Sequence, residues 1–161
     1  MKNSDTLQIT TPTDREVVVT RAFDAPRRLV FDALTRPELL ERWYGPRGWT
    51  LVVCEIDLRV GGAFHFVSRR ADGKDIGQRG EYREIVPPER LVNTEWWEDW
   101  NAGEVLVTTL LVEQAEKTTL TTTMLYPSKE VRDTILNSGL KHGAAELYDK
   151  LDEYLSSVSL L

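Results

Sequence analysis

The sequence predicts an α+β fold in which an antiparallel sheet of six or seven strands packs against one long C-terminal helix. Between residues 50 and 126 the apolar residues recur with the period of two that is typical of strands. Glycine-containing turns such as 61–62 and 72–73 separate these segments, and sequential strands with short connections pair as an antiparallel meander. From Ser128 onward the apolar spacing changes to three or four residues without a proline, which predicts the long helix. The predicted strands of the meander are 50–57, 63–69, 80–86, 91–97, 104–113 and 118–126.

The residues before the meander predict a leader, one further strand and two short helices. Residues 1–14 are rich in Ser, Thr, Asp and Asn, so we expect a flexible N-terminal leader. The β-branched run Glu16–Phe23 predicts the first strand. Apolar residues at helical spacing over 29–34 predict a short helix, and a second one begins at Pro37. Because the chain contains neither a repeat nor a linker, we expect residues 15–158 to form a single domain.

Composition and charge exclude several classes of function. The 161 residues include 26 acidic and 20 basic side chains, a formal net charge of −6, so we expect neither nucleic acid nor a membrane as a partner. Cys54 is the only cysteine and the two histidines fall on separate elements, so we expect no metal, and no cofactor motif occurs. No signal peptide and no apolar run of about 18 residues is present, from which we expect a cytoplasmic protein.

The sequence contains no evident catalytic pair, and we assign no catalytic residue. His65 lies between Phe64 and Phe66 in a strand, so it should point away from the face that buries the two rings. His142 falls at the edge of the apolar stripe of the C-terminal helix, where a surface role and a polar contact to a ligand are both open. We expect Cys54 to be buried in an apolar strand, where a thiol behaves as a small hydrophobic group.

Small residues in the predicted C-terminal helix raise the question of whether it covers a solid core or a cavity. Glycine inside a helix costs about 0.5–1 kcal/mol relative to alanine, so close backbone packing or space for a ligand could each explain them. The aromatic residues that we expect on the facing side of the sheet suit both options, because ligand pockets are mostly apolar. The candidate pocket walls are Trp43, Phe64, Phe66, Tyr82, Trp96, Met124, Gly139, Gly143 and Ala144.

A mobile surface loop is predicted between two strands of the meander. Residues 68–80 are polar, contain three glycines and are more numerous than a tight turn requires. Long hairpin loops of this composition are commonly mobile, so we expect fast amide exchange there.

Six short sequences, in order along the chain, resemble those of a known family. They are FDAP at 23–26, LLERW at 39–43, GPRGWT at 45–50, DLRVGGAF at 57–64, GEYREIVPPERL at 80–91 and YDKLDEYL at 148–155. With the order of the predicted elements, they resemble the helix-grip fold of START-like (SRPBCC) domains, and within it the bacterial activator-of-heat-shock-protein-ATPase homologue family. The resemblance implies a Bet v-like curved sheet wrapped around the C-terminal helix. Ala144 stands where many relatives carry tryptophan, which implies a larger pocket here or one filled from elsewhere.

The resemblance leaves three functions open. In relatives of this fold, a cavity between sheet and helix holds apolar ligands, so the first function is binding of a small hydrophobic or aromatic molecule. The second is a protein interaction of co-chaperone type, in which Trp97 and Trp100 would lie at the interface. Some relatives are cyclases or hydrolases, so the third is an enzyme acting on an aromatic or polyketide-like substrate. It would have to use isolated groups such as His142, Tyr82 or Glu95.

Overall fold

One antiparallel sheet of eight strands forms the framework of residues 2–159, the part of the chain that the computed structural model describes. Its strands are β1 (Gln8–Thr10), β2 (Glu16–Phe23), β3 (Trp49–Ile56), β4 (Ala63–Arg70), β5 (Asp75–Val86), β6 (Arg90–Trp97), β7 (Val105–Gln114) and β8 (Lys117–Leu125). The helices are α1 (Arg27–Thr35), α2 (Pro37–Trp43), α3 (Lys129–Leu136) and α4 (Leu140–Ser159), and a short 3-10 helix spans Asn3–Thr6. No helix in this described part is long and apolar enough to span a membrane.

The sheet has the strand order β1-β2-β8-β7-β6-β5-β4-β3, and all neighbouring strands are antiparallel. The chain therefore runs as a meander from β3 to β8. The last strand, β8, then pairs with the whole of β2, which brings the first and last long strands side by side. Together with the long helix α4 at the C-terminal end, this curved antiparallel sheet confirms the predicted α+β helix-grip fold.

The hydrophobic core lies between one face of the sheet, here called the inner face, and helices α1, α2 and α4. On β2, Val17 and Val19 alternate onto this face and are 0% and 2% exposed, as the period of two predicts. On the second half of α4, Leu151 and Leu155 lie one turn apart and are equally buried. Burying each such side chain stabilises the fold by about 1.5–3 kcal/mol.

Part of the segment that we expected to form a flexible leader belongs to the sheet. Ile9 of β1 pairs with Val19 of β2, and the side-chain amide of Asn3 donates a 3.0 Å hydrogen bond to the carboxylate of Asp24. The sheet thus has eight strands where the sequence predicts six or seven. A strand of three residues is too short for a period of two to be recognised in the sequence.

The predicted C-terminal helix is divided into α3 and α4. It begins as expected, because the Ser128 hydroxyl accepts a 3.2 Å hydrogen bond from the N–H of Val131. The division lies at Gly139, whose φ of +87° is a left-handed conformation that ends helices. The prediction of one continuous helix is corrected accordingly, and Gly139 lies between the two helices rather than within one.

Residues 68–80, predicted to form a mobile loop, are for the most part a paired hairpin. The strand β4 continues to Arg70 and β5 begins at Asp75, so the turn itself is short. The glycine at position 80 does not mark a loop, because its backbone lies so close to β6 that a Cβ there would come within 1.9 Å of the Thr94 carbonyl oxygen. The prediction of a long loop is therefore wrong, and its glycines serve strand packing as well as the turn.

Candidate functional site

A cavity of about 360 Å³ lies between the inner face of the sheet and the first half of α4. Pockets of this volume in proteins bind small molecules. Its wall also includes the segment that follows α2, and most of the wall is apolar. The apolar side chains that face the cavity include Val19, Trp49, Trp97, Met124, Leu140 and Leu147.

The two halves of α4 explain why the space is left open. In the second half, Leu151 and Leu155 fill the space above the sheet and are buried. In the first half, Gly143 and Ala144 face the sheet, and a Cβ placed on Gly143 would meet no atom within 4 Å. Protein interiors are normally close-packed, so a helix face without large side chains leaves a cavity beneath it.

A short loop after α2 forms one rim of the cavity and is bonded to α4. Gly45 and Gly48 have φ values of +97° and +89°, left-handed conformations that L side chains rarely adopt. The Lys150 ammonium donates a 2.8 Å hydrogen bond to the Gly45 carbonyl oxygen, and burial lowers the pKa of this lysine. Arg47 forms a 2.7 Å ion pair with Glu153 at the surface. These contacts hold the loop against α4.

One carboxyl group, that of Glu95 on β6, lies on the cavity wall. Burial raises the pKa of Glu95 to about 7, although hydrogen bonds from the side chains of Gln78 and Trp97 act in the opposite direction. The Tyr44 hydroxyl donates a 2.8 Å hydrogen bond to Oε1 of Gln78, which leaves the amide nitrogen of Gln78 for Glu95. The apolar cavity thus contains one small polar cluster, formed by Glu95, Gln78, Trp97 and Tyr44.

Buried tyrosines surround this cluster. Burial, reinforced by the nearby carboxyl of Glu95, raises the pKa values of Tyr44, Tyr126 and Tyr148. Their hydroxyls therefore stay neutral near pH 7 and act as hydrogen-bonding groups. The hydroxyl of Tyr148 lies 3.5 Å from Oγ1 of Thr122 across the cavity.

A buried arginine fixes the position of α4 over the cavity. The Arg21 side chain extends from β2, is almost fully buried and donates to the main-chain carbonyl oxygen of Tyr148. Its guanidinium also lies 3.0 Å from Asp149 and 3.5 Å from Asp152, so its charge is paired with two carboxylates of the helix. Since Tyr148 lines the cavity, this contact sets the distance between helix and sheet there.

The structure brings together three of the residues proposed from sequence as pocket walls. Met124, Gly143 and Ala144 line the cavity. Gly139 does not, because it lies in the connection before α4. His142 was considered for a polar contact to a ligand, but its side chain is 82% exposed and lies 3.4 Å from Glu146 on the outer side of α4.

Four aromatic residues proposed as walls form solid core beside the cavity instead. The rings of Phe64 and Phe66 have centroids 5.0 Å apart, and Tyr82 lies 5.6 Å from Phe64. Trp43 is 2% exposed and its indole N–H donates to the carbonyl oxygen of Ala33 at 3.0 Å. A small hollow of about 110 Å³ borders the three strand rings.

Trp96 is corrected from the inner to the outer face of the sheet. It is 49% exposed, whereas its neighbour Trp97 lines the cavity. In the sequence Trp96 alternates with Val92 and Thr94, and we expected it among the pocket walls. The residues of β6 that face inward instead include Asn93 and Glu95. Polar side chains can lie there because they form hydrogen bonds inside the fold.

The tryptophans considered for a protein interface are therefore separated. Trp97 faces the cavity, and Trp100 is partly buried beyond the end of β6. Trp96 borders a larger depression of about 630 Å³ on the outer face, whose wall includes His65 and Arg79. That depression is open to solvent and is bordered by the carboxylates of Glu55, Asp57, Glu81 and Glu104, so it is a less suitable site for an apolar molecule.

Sequence reasoning missed the polar cluster, apart from naming Glu95 as an isolated group. The signal that could have revealed it is the alternation along β6, which puts Asn93, Glu95 and Trp97 on one face.

Cys54 is partly buried, and burial raises the pKa of its thiol to about 11. Within residues 2–159, no group of three or more His, Cys, Asp or Glu side chains is placed to hold a metal ion.

Comparison with known proteins gives the family of this chain. A family model described as "Activator of Hsp90 ATPase homolog 1-like protein" matches residues 24–156. A solved structure of a Rhodobacter sphaeroides protein is 30% identical over 94% of this chain and 99% of its own, with a TM-score of 0.89. Proteins of Nitrosomonas europaea and Mycobacterium smegmatis are each 23% identical over 94% of this chain, cover 100% and 98% of their own, and share the fold with TM-scores of 0.84 and 0.83. No curated protein matches the sequence. Because the family match extends over most of the chain, the protein belongs to the activator of Hsp90 ATPase homolog 1-like family.

Proposed function

We propose that the protein binds a small, mainly apolar molecule in the cavity beneath the first half of α4. The observation that supports this most directly is the open space of about 360 Å³ at Gly143 and Ala144. An unfilled apolar space lowers stability through lost contacts, so its presence in an otherwise close-packed core favours a binding role. The apolar rings of Trp49 and Trp97 offer flat surfaces against which an aromatic ligand could pack.

Blocking the cavity tests this proposal. In the Ala144→Trp variant an indole would occupy the open space, and the added burial of apolar surface, about 25 cal/mol per Å², should offset any local strain. We expect the wild type to bind N-phenyl-1-naphthylamine, a neutral apolar probe, at one site with a rise in its fluorescence. We expect the Ala144→Trp variant to retain its melting temperature and to bind the probe at least about tenfold more weakly.

A matched control adds the same indole to the opposite side of the helix. His142 is 82% exposed, so His142→Trp should leave probe affinity unchanged. The proposal is overturned if the wild type does not bind the probe, or if Ala144→Trp binds it as well as the wild type does. If the probe binds as expected, native mass spectrometry of the protein purified from its own host would identify the molecule that co-purifies with it.

Catalysis on an aromatic or polyketide-like substrate is a second candidate, supported by Glu95. A carboxyl group with a pKa of about 7 inside an apolar cavity is suited to proton transfer at neutral pH. Turnover by the wild type that is lost in Glu95→Gln, with binding retained, would favour this function over binding alone. The co-chaperone proposal has less support, because Trp97 faces the cavity rather than a partner.

A further inference from the structure

We propose that Glu95 binds the cationic end of the ligand, so that the cavity selects molecules with a protonated amine attached to an apolar body. This inference rests on the proposed function, and it specifies the chemical class of the ligand. It follows from the hydrogen-bonding capacity of the Glu95 carboxyl and from the charges around it.

The carboxyl has acceptor capacity that the protein leaves unused. An ionised carboxylate can accept about four hydrogen bonds through its two oxygens. Its side-chain donors in the structure are Gln78 and Trp97, both neutral. The Tyr44 hydroxyl is directed at Gln78 instead. Because Glu95 lines the cavity, a donor on the ligand can reach the remaining acceptor positions.

The charges around the carboxyl point to a cationic donor. Besides burial, the carboxyl of Glu95 raises the pKa values of Tyr44 beside α2, Tyr126 after β8 and Tyr148 on α4, so the titratable groups near it are hydroxyls that are neutral near pH 7. Among the described residues that line the cavity, none is a lysine, arginine or histidine.

Two cations that contact residues of the cavity wall, Arg21 and Lys150, belong to other contacts. Arg21 on β2 is paired with Asp149 and Asp152, and Lys150 on α4 donates to the carbonyl oxygen of Gly45. An ionised carboxylate held away from bulk water is stabilised by a nearby cation, and a ligand can supply that cation.

The protonation of Glu95 couples to such a ligand. Burial raises its pKa to about 7, so near neutral pH roughly half of the molecules carry the neutral acid. An ammonium group beside the carboxyl favours the ionised form, so its binding lowers this pKa and releases the proton to solvent. A neutral or anionic ligand of the same shape would release none.

Three probes with the same ring test the inference. They are 2-(2-naphthyl)ethylamine, the corresponding alcohol and 3-(2-naphthyl)propanoate, each titrated into the wild type by calorimetry. Near pH 8, where Glu95 is ionised, we expect the amine to bind at least about tenfold more tightly than the alcohol, and the carboxylate to bind most weakly. Near pH 6 the amine should release up to about one proton on binding, detected with buffers of different ionisation enthalpy.

The matched variant is Glu95→Gln, which keeps the shape and removes the charge. It should bind the amine and the alcohol with similar affinity and release no proton. Equal affinity of the wild type for amine and alcohol would overturn the inference, as would an amine preference that survives in Glu95→Gln. If that variant does not fold, the comparison of the three probes on the wild type still tests whether the cavity prefers the amine.

The outcomes separate this inference from the proposed function. Binding of the alcohol without a preference for the amine would leave the proposed function standing and overturn the role of Glu95. Failure of the wild type to bind any of the three probes, or N-phenyl-1-naphthylamine, would overturn both.

Discussion

The hydroxyl of Tyr44 lies 2.8 Å from Oε1 of Gln78 and donates a hydrogen bond to it. Tyr44 directly follows α2 and Gln78 lies on β5, so the bond joins the rim of the cavity to the sheet. It also orients the amide of Gln78, whose nitrogen then faces Glu95. A single hydroxyl thus fixes both the rim loop and a donor to the carboxyl group.

Removing this hydroxyl should lower stability and loosen the polar cluster. In Tyr44→Phe the Oε1 atom of Gln78 loses its partner inside the fold, so we expect the free energy of unfolding to fall by about 1–2 kcal/mol. Urea denaturation followed by circular dichroism measures the change.

Tyr126→Phe is the matched control for this prediction. It removes a hydroxyl whose contact in the structure is with Met124 Sδ at 3.5 Å, and a thioether sulfur is a weak acceptor. We expect a smaller loss of stability than in Tyr44→Phe. Equal losses in the two variants would contradict the role assigned to the bond between Tyr44 and Gln78.

Two glycines of the C-terminal region should respond in opposite ways to the same change. Gly143 lies within α4 and a Cβ there meets open space, so Gly143→Ala should raise stability by about 0.5–1 kcal/mol. Gly139 also has open space around it but a φ of +87°, so Gly139→Ala should lower stability by about 1 kcal/mol. Melting temperatures of the two variants give the comparison, and a loss of stability in Gly143→Ala would mean that the helix packs closer to the sheet than described.

The same two glycines illustrate what the sequence could predict and what it could not. The long α4 and its stripe of small residues followed from apolar spacing alone, because helical periodicity persists over many residues. The break at Gly139 did not, since a glycine in a helical pattern is compatible with either a helical or a left-handed conformation. Local sequence therefore predicted the helical segment but not the break that divides it into α3 and α4.

The candidate site was harder to predict because strand orientation depends on partners distant in sequence. On β6 the choice between Trp96 and Trp97 as the inward residue required knowing that Asn93 and Glu95 find hydrogen-bond partners inside the fold. Gln78 and Tyr44 supply this environment from β5 and from the segment after α2, at sequence distances that no local pattern links. Aromatic content predicted that the inner face is apolar, but not where the core ends and the cavity begins.

The partly buried carboxyl of Glu95 should make the stability of the protein depend on pH in a specific direction. In the unfolded chain Glu95 has the ordinary pKa of 4.5, and in the folded protein burial raises it to about 7. Between these values the folded state binds more protons than the unfolded state, so the free energy of unfolding decreases as the pH rises through this window. The loss is complete near pH 8, about one pH unit above the pKa in the folded protein, and amounts to about 2–3 kcal/mol.

Glu95→Gln removes the ionisable group. The difference in the free energy of unfolding between variant and wild type therefore measures the contribution of Glu95 to the pH dependence. We expect the variant to gain about 2–3 kcal/mol relative to the wild type between about pH 4.5 and pH 8, measured by urea denaturation at a series of pH values. Asp72→Asn is the control: a hydrogen bond from Arg70 lowers the pKa of Asp72 to about 2, so its difference from the wild type should stay constant over the same window. A constant difference for Glu95→Gln as well would mean that the carboxyl is ionised throughout, and that solvent reaches it more freely than its position on the cavity wall implies.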